Sequence, residues 1–236
     1  MCGRIDQSAP IGRYLEALER STASALVRSQ VEPRYNVAPG SFRPLLHLNV
    51  TGELLVDDLH WGYQAAWAVG KVPVTINTRL EKITGNYWRG LLKAGRAIVP
   101  AEAWFEWTGE KGQKQPWRIH HTDQQPLFLA ALANFGPAKE TKASAGFTIV
   151  TADALGGMVD VHDRRPVVLN PADALEWLQP DLTPQEAEHL ARTASISHES
   201  FRWYPVNKML SNVRNEGPML VDPVEIPENV PAGRAK

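Results

Sequence analysis

The chain has 236 residues, which is long enough to bury a hydrophobic core without disulfides or a structural metal. Apolar residues make up 43% and charged residues 22%, as in ordinary globular proteins, and no run nears the roughly 18 apolar residues that span a bilayer. The formal net charge of -1 excludes a long-range pull of the whole molecule on a polyanion, so a nucleic-acid site would need local clusters of Arg and Lys.

The only cysteine stands at position 2. One cysteine excludes an internal disulfide and a metal site built from several cysteines. The sequence also lacks a His-x-x-x-His helix and a glycine-rich nucleotide loop. The N-terminus has no apolar stretch typical of a secretory signal. We therefore expect a soluble, cytoplasmic monomer that has no cofactor, no metal and no membrane partner.

The first hundred residues mix helix and strand patterns. Apolar spacing predicts a helix over 11–18, and the Pro- and Gly-punctuated stretch 31–40 predicts an extended loop. Strand-like runs over 45–50 and 53–61 flank a turn and indicate a hairpin. A second helix is expected over 86–93.

Strands dominate from Arg96 onward, and two helices follow them. Short apolar runs predict strands over 97–107, 116–120, 127–133, 147–151 and 201–206. Helices are expected over 171–178 and 184–192. The second begins with a clear signal: Thr183 as N-cap, Pro184 at the first helical position and Glu186 to complete a capping box.

This order of elements favours one mixed α+β domain, mostly β, with a few peripheral helices. Helices and strands do not alternate regularly, which argues against a doubly wound parallel sheet. We place the domain over residues 1–221. The tail 222–236 is rich in Pro, Glu, Ala and Gly and is expected to be disordered.

Cys2 is the first candidate for chemistry, and we expect it to be exposed. Removal of Met1 would leave an α-amine beside its thiol. That amine has a pKa of about 7.7–8.0, against about 10.4 for lysine, so roughly a tenth of it is neutral at pH 7 and can attack an aldehyde. The thiol can then close onto the imine as a five-membered thiazolidine, a step favoured by proximity. The alternative is a small residue near a frayed terminus.

Two further segments could carry protons. Glu106 stands in Trp-Phe-Glu-Trp, where an aromatic environment would raise the pKa of its carboxyl and suit an acid/base role. The alternative is a solvent-facing glutamate on an amphipathic strand. His162, in Val-His-Asp-Arg-Arg-Pro, could carry a proton while the arginines hold phosphates. The alternative there is a surface turn.

Other residues suit a sugar, a phosphate or a base. Asn77 and Arg79 have the spacing of one strand face, where an amide and a guanidinium could hold a sugar oxygen beside a phosphate. Cross-strand hydrogen bonding explains the pair equally well. Trp67 is the best candidate among the eight tryptophans for an exposed stacking platform, which contributes on the order of 1–3 kcal/mol per base.

Taken together, these segments resemble the SRAP family of SOS-response-associated peptidase-like, abasic-site processing proteins, and especially its bacterial members. The matching pieces run in the family's order over residues 1 to about 220: Met-Cys-Gly-Arg at 1–4, Arg-Tyr-Asn-Val-Ala-Pro-Gly at 34–40, Trp-Gly-Tyr at 61–63, Asn-Thr-Arg at 77–79, Gly-Arg-Ala-Ile at 95–98, Trp-Phe-Glu-Trp at 104–107, Val-Asp-Val-His-Asp-Arg-Arg-Pro at 159–166 and Asn-Val-Arg-Asn at 212–215. Thr78 stands where many members carry Ala.

The resemblance implies a function on abasic sites in single-stranded DNA. Cys2 would form a covalent thiazolidine with the lesion after Met1 is removed, with possible strand-cleaving lyase and autopeptidase activities. The implied catalytic residues are Cys2, Asn77, Glu106 and His162. The implied DNA-binding residues are Arg4, Pro39, Trp67, Arg79, Thr151 and Arg164. The protein would then associate with the nucleoid when bound to damaged DNA.

Two other functions stay open at this point. Class II glutamine amidotransferases also begin Met-Cys-Gly, but they need a glutamine-binding arginine loop and an Asn-Gly oxyanion segment, and the sequence shows neither. A non-catalytic module that binds single strands, with Cys2 incidental, is the second alternative. A glutaminase assay would test the first alternative, and a denaturing gel with an abasic strand would test the second.

Overall fold

The computed structural model describes residues 2–110, 112–139, 141–156, 158 and 161–225. Within this part of the chain, the helices are α1 (Ile11–Ala17), α2 (Arg89–Ala94), α3 (Pro171–Trp177) and α4 (Pro184–Thr193). The strands are β1 (Ile5–Gln7), β2 (Ala25–Val27), β3 (Arg34–Val37), β4 (Phe42–Leu48), β5 (Leu54–Trp61), β6 (Asn77–Arg79), β7 (Arg96–Ala101), β8 (Ala103–Thr108), β9 (Gln115–His121), β10 (Leu127–Ala133), β11 (Gly146–Asp153), β12 (Arg164–Pro166), β13 (Val168–Leu169) and β14 (Phe201–Pro205).

The strands of the described residues form two sheets. The smaller sheet is antiparallel, in the order β14-β9-β8-β1-β3. The larger sheet runs β12-β11-β10-β7-β4-β5-β2, with β13 paired to β10 and β6 paired in parallel to β11. β11 also pairs with β5, which closes β5, β4, β7, β10 and β11 into a ring. These mixed sheets with few helices confirm the predicted α+β class.

The core is divided by the larger sheet, and β10 shows how. All seven of its residues are buried. Its even-numbered side chains, Phe128, Ala130 and Leu132, join the apolar residues of the four helices in a helix-side core. Its odd-numbered side chains from Leu127 to Ala133 join those of the smaller sheet in an inter-sheet core. Successive side chains on a strand point to opposite faces, so a strand between two cores must be apolar throughout.

Two expectations about local structure are wrong. The apolar run 97–107 is two strands, because the chain leaves the larger sheet after β7 and enters the smaller one at β8. Glu102 lies at the crossing, where its N–H donates to the carbonyl of Asp6 at 2.8 Å. The expected loop 31–40 contains β3, since β1 offers a free edge on which Arg34–Val37 can pair.

The other predicted helices and strands are confirmed to within three residues at either end. The capping box of α4 is present: Thr183 Oγ1 accepts from Glu186 N–H at 3.2 Å, and the Glu186 carboxylate accepts from Thr183 N–H at 2.8 Å. Among the described residues, no helix is long and apolar enough to cross a membrane. Val224 N–H donates to the carbonyl of Pro205 at 2.9 Å, and the rest of the tail, 226–236, lies outside the described residues.

Gly95 lies where α2 meets β10, and its close packing predicts how a substitution there changes the free energy of unfolding. A Cβ at this position would come within 2.0 Å of the carbonyl oxygen of Ala133. We expect Gly95→Ala to lower the free energy of unfolding by about 1–3 kcal/mol, because the backbone of β10 must shift. Gly90, on the exposed side of α2, is the matched control since a Cβ there meets nothing within 4 Å. Gly90→Ala should raise stability by about 0.5–1 kcal/mol. Urea unfolding measures both, and equal effects would contradict the packing at Gly95.

Candidate active site

Cys2 lies three residues before the start of β1 and is fully buried, so the expectation of an exposed cysteine is wrong. The reason is the position of β1, which is enclosed by β3 and β8 in the smaller sheet and directs the start of the chain into the inter-sheet core. Burial raises the pKa of the Cys2 thiol well above its usual range, and the charge of Glu106 raises it further. The thiol is therefore held in its protonated form near neutral pH.

Asn77 fixes the backbone of Cys2 from the opposite sheet. It begins β6, which pairs with β11 of the larger sheet, and its side chain is 9% exposed. The amide Nδ2 donates to the carbonyl oxygen of Cys2 at 2.8 Å. The amide Oδ1 is buried and accepts no hydrogen bond from the described residues. Asn77 thus holds Cys2 through its amide nitrogen, while its amide oxygen stays available as a hydrogen-bond acceptor.

Glu106 lies on β8, beside the start of the chain. Ile5 pairs with Trp104 and Asp6 with Ala103, so the same antiparallel register, continued, brings Gly3 opposite Glu106. The Glu106 side chain is 3% exposed. Burial raises the pKa of its carboxyl to about 7, so it holds a proton about half of the time at neutral pH. The predicted acid/base character is consistent with this environment.

His162 lies just before β12, with its side chain 30% exposed. Its Nδ1 is 2.7 Å from the carboxylate of Asp163 and 3.0 Å from the backbone N–H of Arg164. One nitrogen cannot donate to the carboxylate and accept from the N–H at once, so the two contacts belong to different protonation states. Burial lowers the pKa of the imidazole, which favours the neutral ring.

Glu106 and His162 line one open cleft of about 630 Å³. The cleft is also lined by the following residues: Arg4, Trp107, Gly112, Lys114, Lys208 and Ser211. Three of these side chains are cationic, which gives a nearly neutral protein a local attraction for anions. The sequence reasoning missed Lys114 and Lys208, because neither stands within a recognised motif and they are far apart in the chain.

Arg4 connects the cleft to its surroundings. Its guanidinium donates to the Asn36 side chain and to the carbonyl of Leu210, the latter at 2.7 Å. It also lies over the ring of Trp107, 5.4 Å from the centroid. Asn36 in turn donates to the carbonyls of Asn212 and Asn215. Arg4 therefore fastens the chain start to the loop after β14, and its predicted phosphate contact stays a prediction.

A second group of predicted residues lies together at one edge of the larger sheet. Arg79 is exposed and pairs in register with Thr151 of β11, whose hydroxyl is buried and donates to the carbonyl of Thr78 at 3.3 Å. Arg164 donates to Thr151 O at 2.7 Å and forms ion pairs with Glu81 and Asp153 at 3.0 and 2.5 Å. A phosphate at Arg164 would have to share its guanidinium with these two carboxylates.

The remaining two candidates lie between strands, Trp67 in the 3-10 turn Ala66–Ala68 and Pro39 in a turn after β3. Trp67 is 69% exposed, as the sequence predicted, and its ring makes a T-shaped contact with Tyr87, with the ring centroids 5.5 Å apart. Pro39 is half-buried. In the part of the chain that the structure describes, no group of three or more His, Cys, Asp or Glu side chains could hold a metal ion.

The chain matches the model of the SOS response associated peptidase (SRAP) family over residues 1–213. It belongs to this family, which confirms the resemblance found in the sequence. It is 40% identical over 227 residues to the abasic site processing protein YedK of Escherichia coli, a match that covers 95% of this chain and 100% of that protein.

More distant relatives and a solved structure agree with this assignment. The abasic site processing protein HMCES of Gallus gallus is 27% identical over 276 residues, covering 98% of this chain and 81% of that protein. The crystal structure of a phage-related protein from Bordetella bronchiseptica has a TM-score of 0.74 at 39% identity, over 88% of this chain and 95% of that one.

The raised pKa of Glu106 predicts how stability depends on pH. Its usual value lies near 4.5, so the folded protein holds this proton more tightly than the unfolded chain does. The corresponding stability is fully present below about pH 4.5 and is lost as pH rises to about 7. We expect the loss to be on the order of 3 kcal/mol. Because the amide of Glu106→Gln does not ionise, this loss of stability is absent from the variant, which should be more stable than the parent at pH 8.

Urea unfolding between pH 4.5 and pH 8 measures this difference. Glu176→Gln, on the exposed side of α3, is the matched control and should follow the parent at every pH. A Glu106→Gln curve that runs parallel to the parent would contradict a carboxyl whose pKa is raised by burial.

Proposed function

We propose that the chain processes abasic sites in single-stranded DNA during the response to DNA damage, by forming a covalent bond between Cys2 and the ring-opened sugar. The observation that carries the proposal is that Glu106 lies close enough to Cys2 for its charge to raise the pKa of the thiol. The pKa of the Glu106 carboxyl is itself about 7, and Glu106 lines a cationic cleft. The names of the relatives, abasic site processing proteins, support the same substrate.

The first step is the attack of an amine on an aldehyde. Once Met1 is removed, the neutral α-amine of Cys2 adds to C1′ of the open sugar and gives a carbinolamine. Protonated Glu106 donates its proton to the carbinolamine hydroxyl, and water leaves to form the protonated imine (iminium). A carboxyl of ordinary pKa would rarely hold that proton near pH 7, whereas Glu106 holds it about half of the time.

The second step closes the ring. The Cys2 thiol is buried and protonated, so it needs a base before its sulfur can add to the imine carbon. Glu106 is ionised after the first step and accepts the thiol proton. The S–C1′ bond forms and the C=N electron pair moves to the iminium nitrogen, which becomes the neutral N–H of the thiazolidine. One carboxyl thus acts first as acid and then as base.

Asn77 and His162 complete the proposed site. Asn77 fixes the Cys2 backbone through the 2.8 Å bond, and its buried Oδ1 can accept a hydrogen bond from a sugar hydroxyl. His162, neutral near pH 7, can take the C2′ proton of an imine and so promote β-elimination of the 3′ phosphate. That route would give strand cleavage as a side activity.

An open single strand suits the surface better than a duplex. Trp67 offers an exposed ring for a base, and a base in a duplex is already stacked on its neighbours. Arg79 is exposed two residues beyond Asn77 on the same strand, where it can meet a phosphate next to the lesion. Pro39, Thr151, Arg164 and Arg4 stay in the proposed DNA-binding set.

Replacing Cys2 tests the covalent step. The parent protein should give a band resistant to denaturation with an abasic strand and none with an intact strand. Cys2→Ala keeps the amine and loses the thiol, so it should give only the reversible imine and no lasting band. A chain that keeps Met1 should behave in the same way, because its amine lies one residue away from the thiol.

A denaturing gel measures the band, and a glutaminase assay on the same samples tests the amidotransferase alternative. A lasting band of equal intensity from Cys2→Ala would rule out the thiazolidine. Equal retention of intact and abasic strands would favour the non-catalytic module instead.

Glu106→Gln separates acid/base chemistry from binding. The amide keeps the shape of the carboxyl but carries no proton to give or take. We expect the rate of crosslinking to fall by about 10²-fold or more. The affinity for a strand with a tetrahydrofuran abasic analogue, which has no aldehyde, should change by less than about threefold. Rapid-quench gels and fluorescence anisotropy measure the two quantities, and equal losses would argue for a binding role only.

A further inference from the structure

Lys114 and Lys208 face the cleft of Glu106 and His162 from two separate turns. Lys114 lies in the connection between β8 and β9, and Lys208 begins a 3-10 turn, Lys208–Ser211, after β14. They are 94 positions apart in the chain, so only the fold brings them to one cleft. Both residues are exposed.

Neither lysine is neutralised within the described residues. The ion pairs found there use Arg or His as the cation and none involves Lys114 or Lys208. Burial lowers the pKa of His162, and the Lys114 ammonium adds to the same shift, which shows that its charge reaches the cleft. The carboxylates close by are Glu106 in the cleft and Asp163 beside His162.

A further exposed cation, Arg79, lies on the larger sheet. Arg79 ends β6 of the larger sheet, about 6–7 Å along the strand from Asn77, which contacts Cys2. The two lysines follow strands of the smaller sheet. Cys2 lies in the core between the two sheets. The elements that carry these cations therefore belong to both of the sheets that enclose the proposed nucleophile.

We infer that Lys114 and Lys208 bind the phosphodiesters on one side of the lesion and that Arg79 binds those on the other side. The single strand would then cross from one sheet to the other over Cys2. The inference rests on the proposed function and assigns a path to its substrate. Lysines hold phosphates as point charges and read no base, which suits a lesion that can occur in any sequence.

The test uses single strands that carry a tetrahydrofuran abasic analogue, so that binding is measured without covalent capture. With the analogue at the centre, anisotropy titrations over a salt series should give a slope of log K against log salt smaller by roughly 0.7 for each of Lys114→Gln and Lys208→Gln. Lys139→Gln, an exposed lysine away from the cleft, is the charge-matched control and should leave the slope unchanged.

Strands with the analogue at the 5′ end or the 3′ end then separate the two sides, because each offers phosphates on one side of the lesion only. The double lysine variant should lose affinity for one of these strands, and Arg79→Gln should lose affinity for the other. Unchanged slopes for the lysine variants, or losses on the same strand for both variants, would overturn the inference.

A crosslinking reaction of the parent protein with a strand that carries an abasic aldehyde, run in parallel, distinguishes a failure of the strand path from a failure of the proposed function. If that crosslink forms while the lysine slopes stay unchanged, the path is wrong and the proposed function stands. If the lysines contribute as expected but no crosslink forms, the proposed chemistry is wrong and the strand path stands. If the parent protein binds no strand at all, both are wrong.

Discussion

The whole site depends on one constraint: Cys2, with the β1 strand that follows it, is held in the core between two sheets. β1 is an inner strand of the smaller sheet, so the residues before it cannot fray into solvent. The amide of Asn77 reaches across from the larger sheet and holds the carbonyl of Cys2 at 2.8 Å. A terminal nucleophile would ordinarily be mobile. Here both sheets fix Cys2, so in the proposed reaction the aldehyde would meet groups that are already in place.

The same burial determines the chemistry. It keeps the Cys2 thiol protonated, so the cysteine is not a resident thiolate, and it raises the pKa of Glu106 to about 7. In the proposed mechanism these two buried groups exchange one proton. The cost is a carboxyl that destabilises the fold when it ionises, a compromise between stability and activity that is common at functional sites.

Features governed by local pattern were predictable from the sequence. The capping box of α4 and the fully apolar β10 follow from spacing alone, and the aromatic neighbours of Glu106 anticipated its environment. Features governed by long-range pairing were not. The run 97–107 shows no break at Glu102, because both of its strands are buried and the crossing is made by pairing with Asp6. Three other features likewise could not be predicted before the fold was known. They are the burial of Cys2, the carboxylates around Arg164, and the position of Lys114 and Lys208 at one cleft.

The central claim is that Cys2 captures the lesion through its amine and its thiol together, as a thiazolidine. Mass spectrometry of the crosslinked N-terminal peptide, with and without borohydride in the reaction, tests it most directly. The proposed mechanism predicts an adduct on Cys2 that forms without borohydride and gains no hydrogen in its presence, because the closed ring has no C=N bond to reduce. An adduct that survives only after borohydride reduction, or one carried by a lysine, would contradict it.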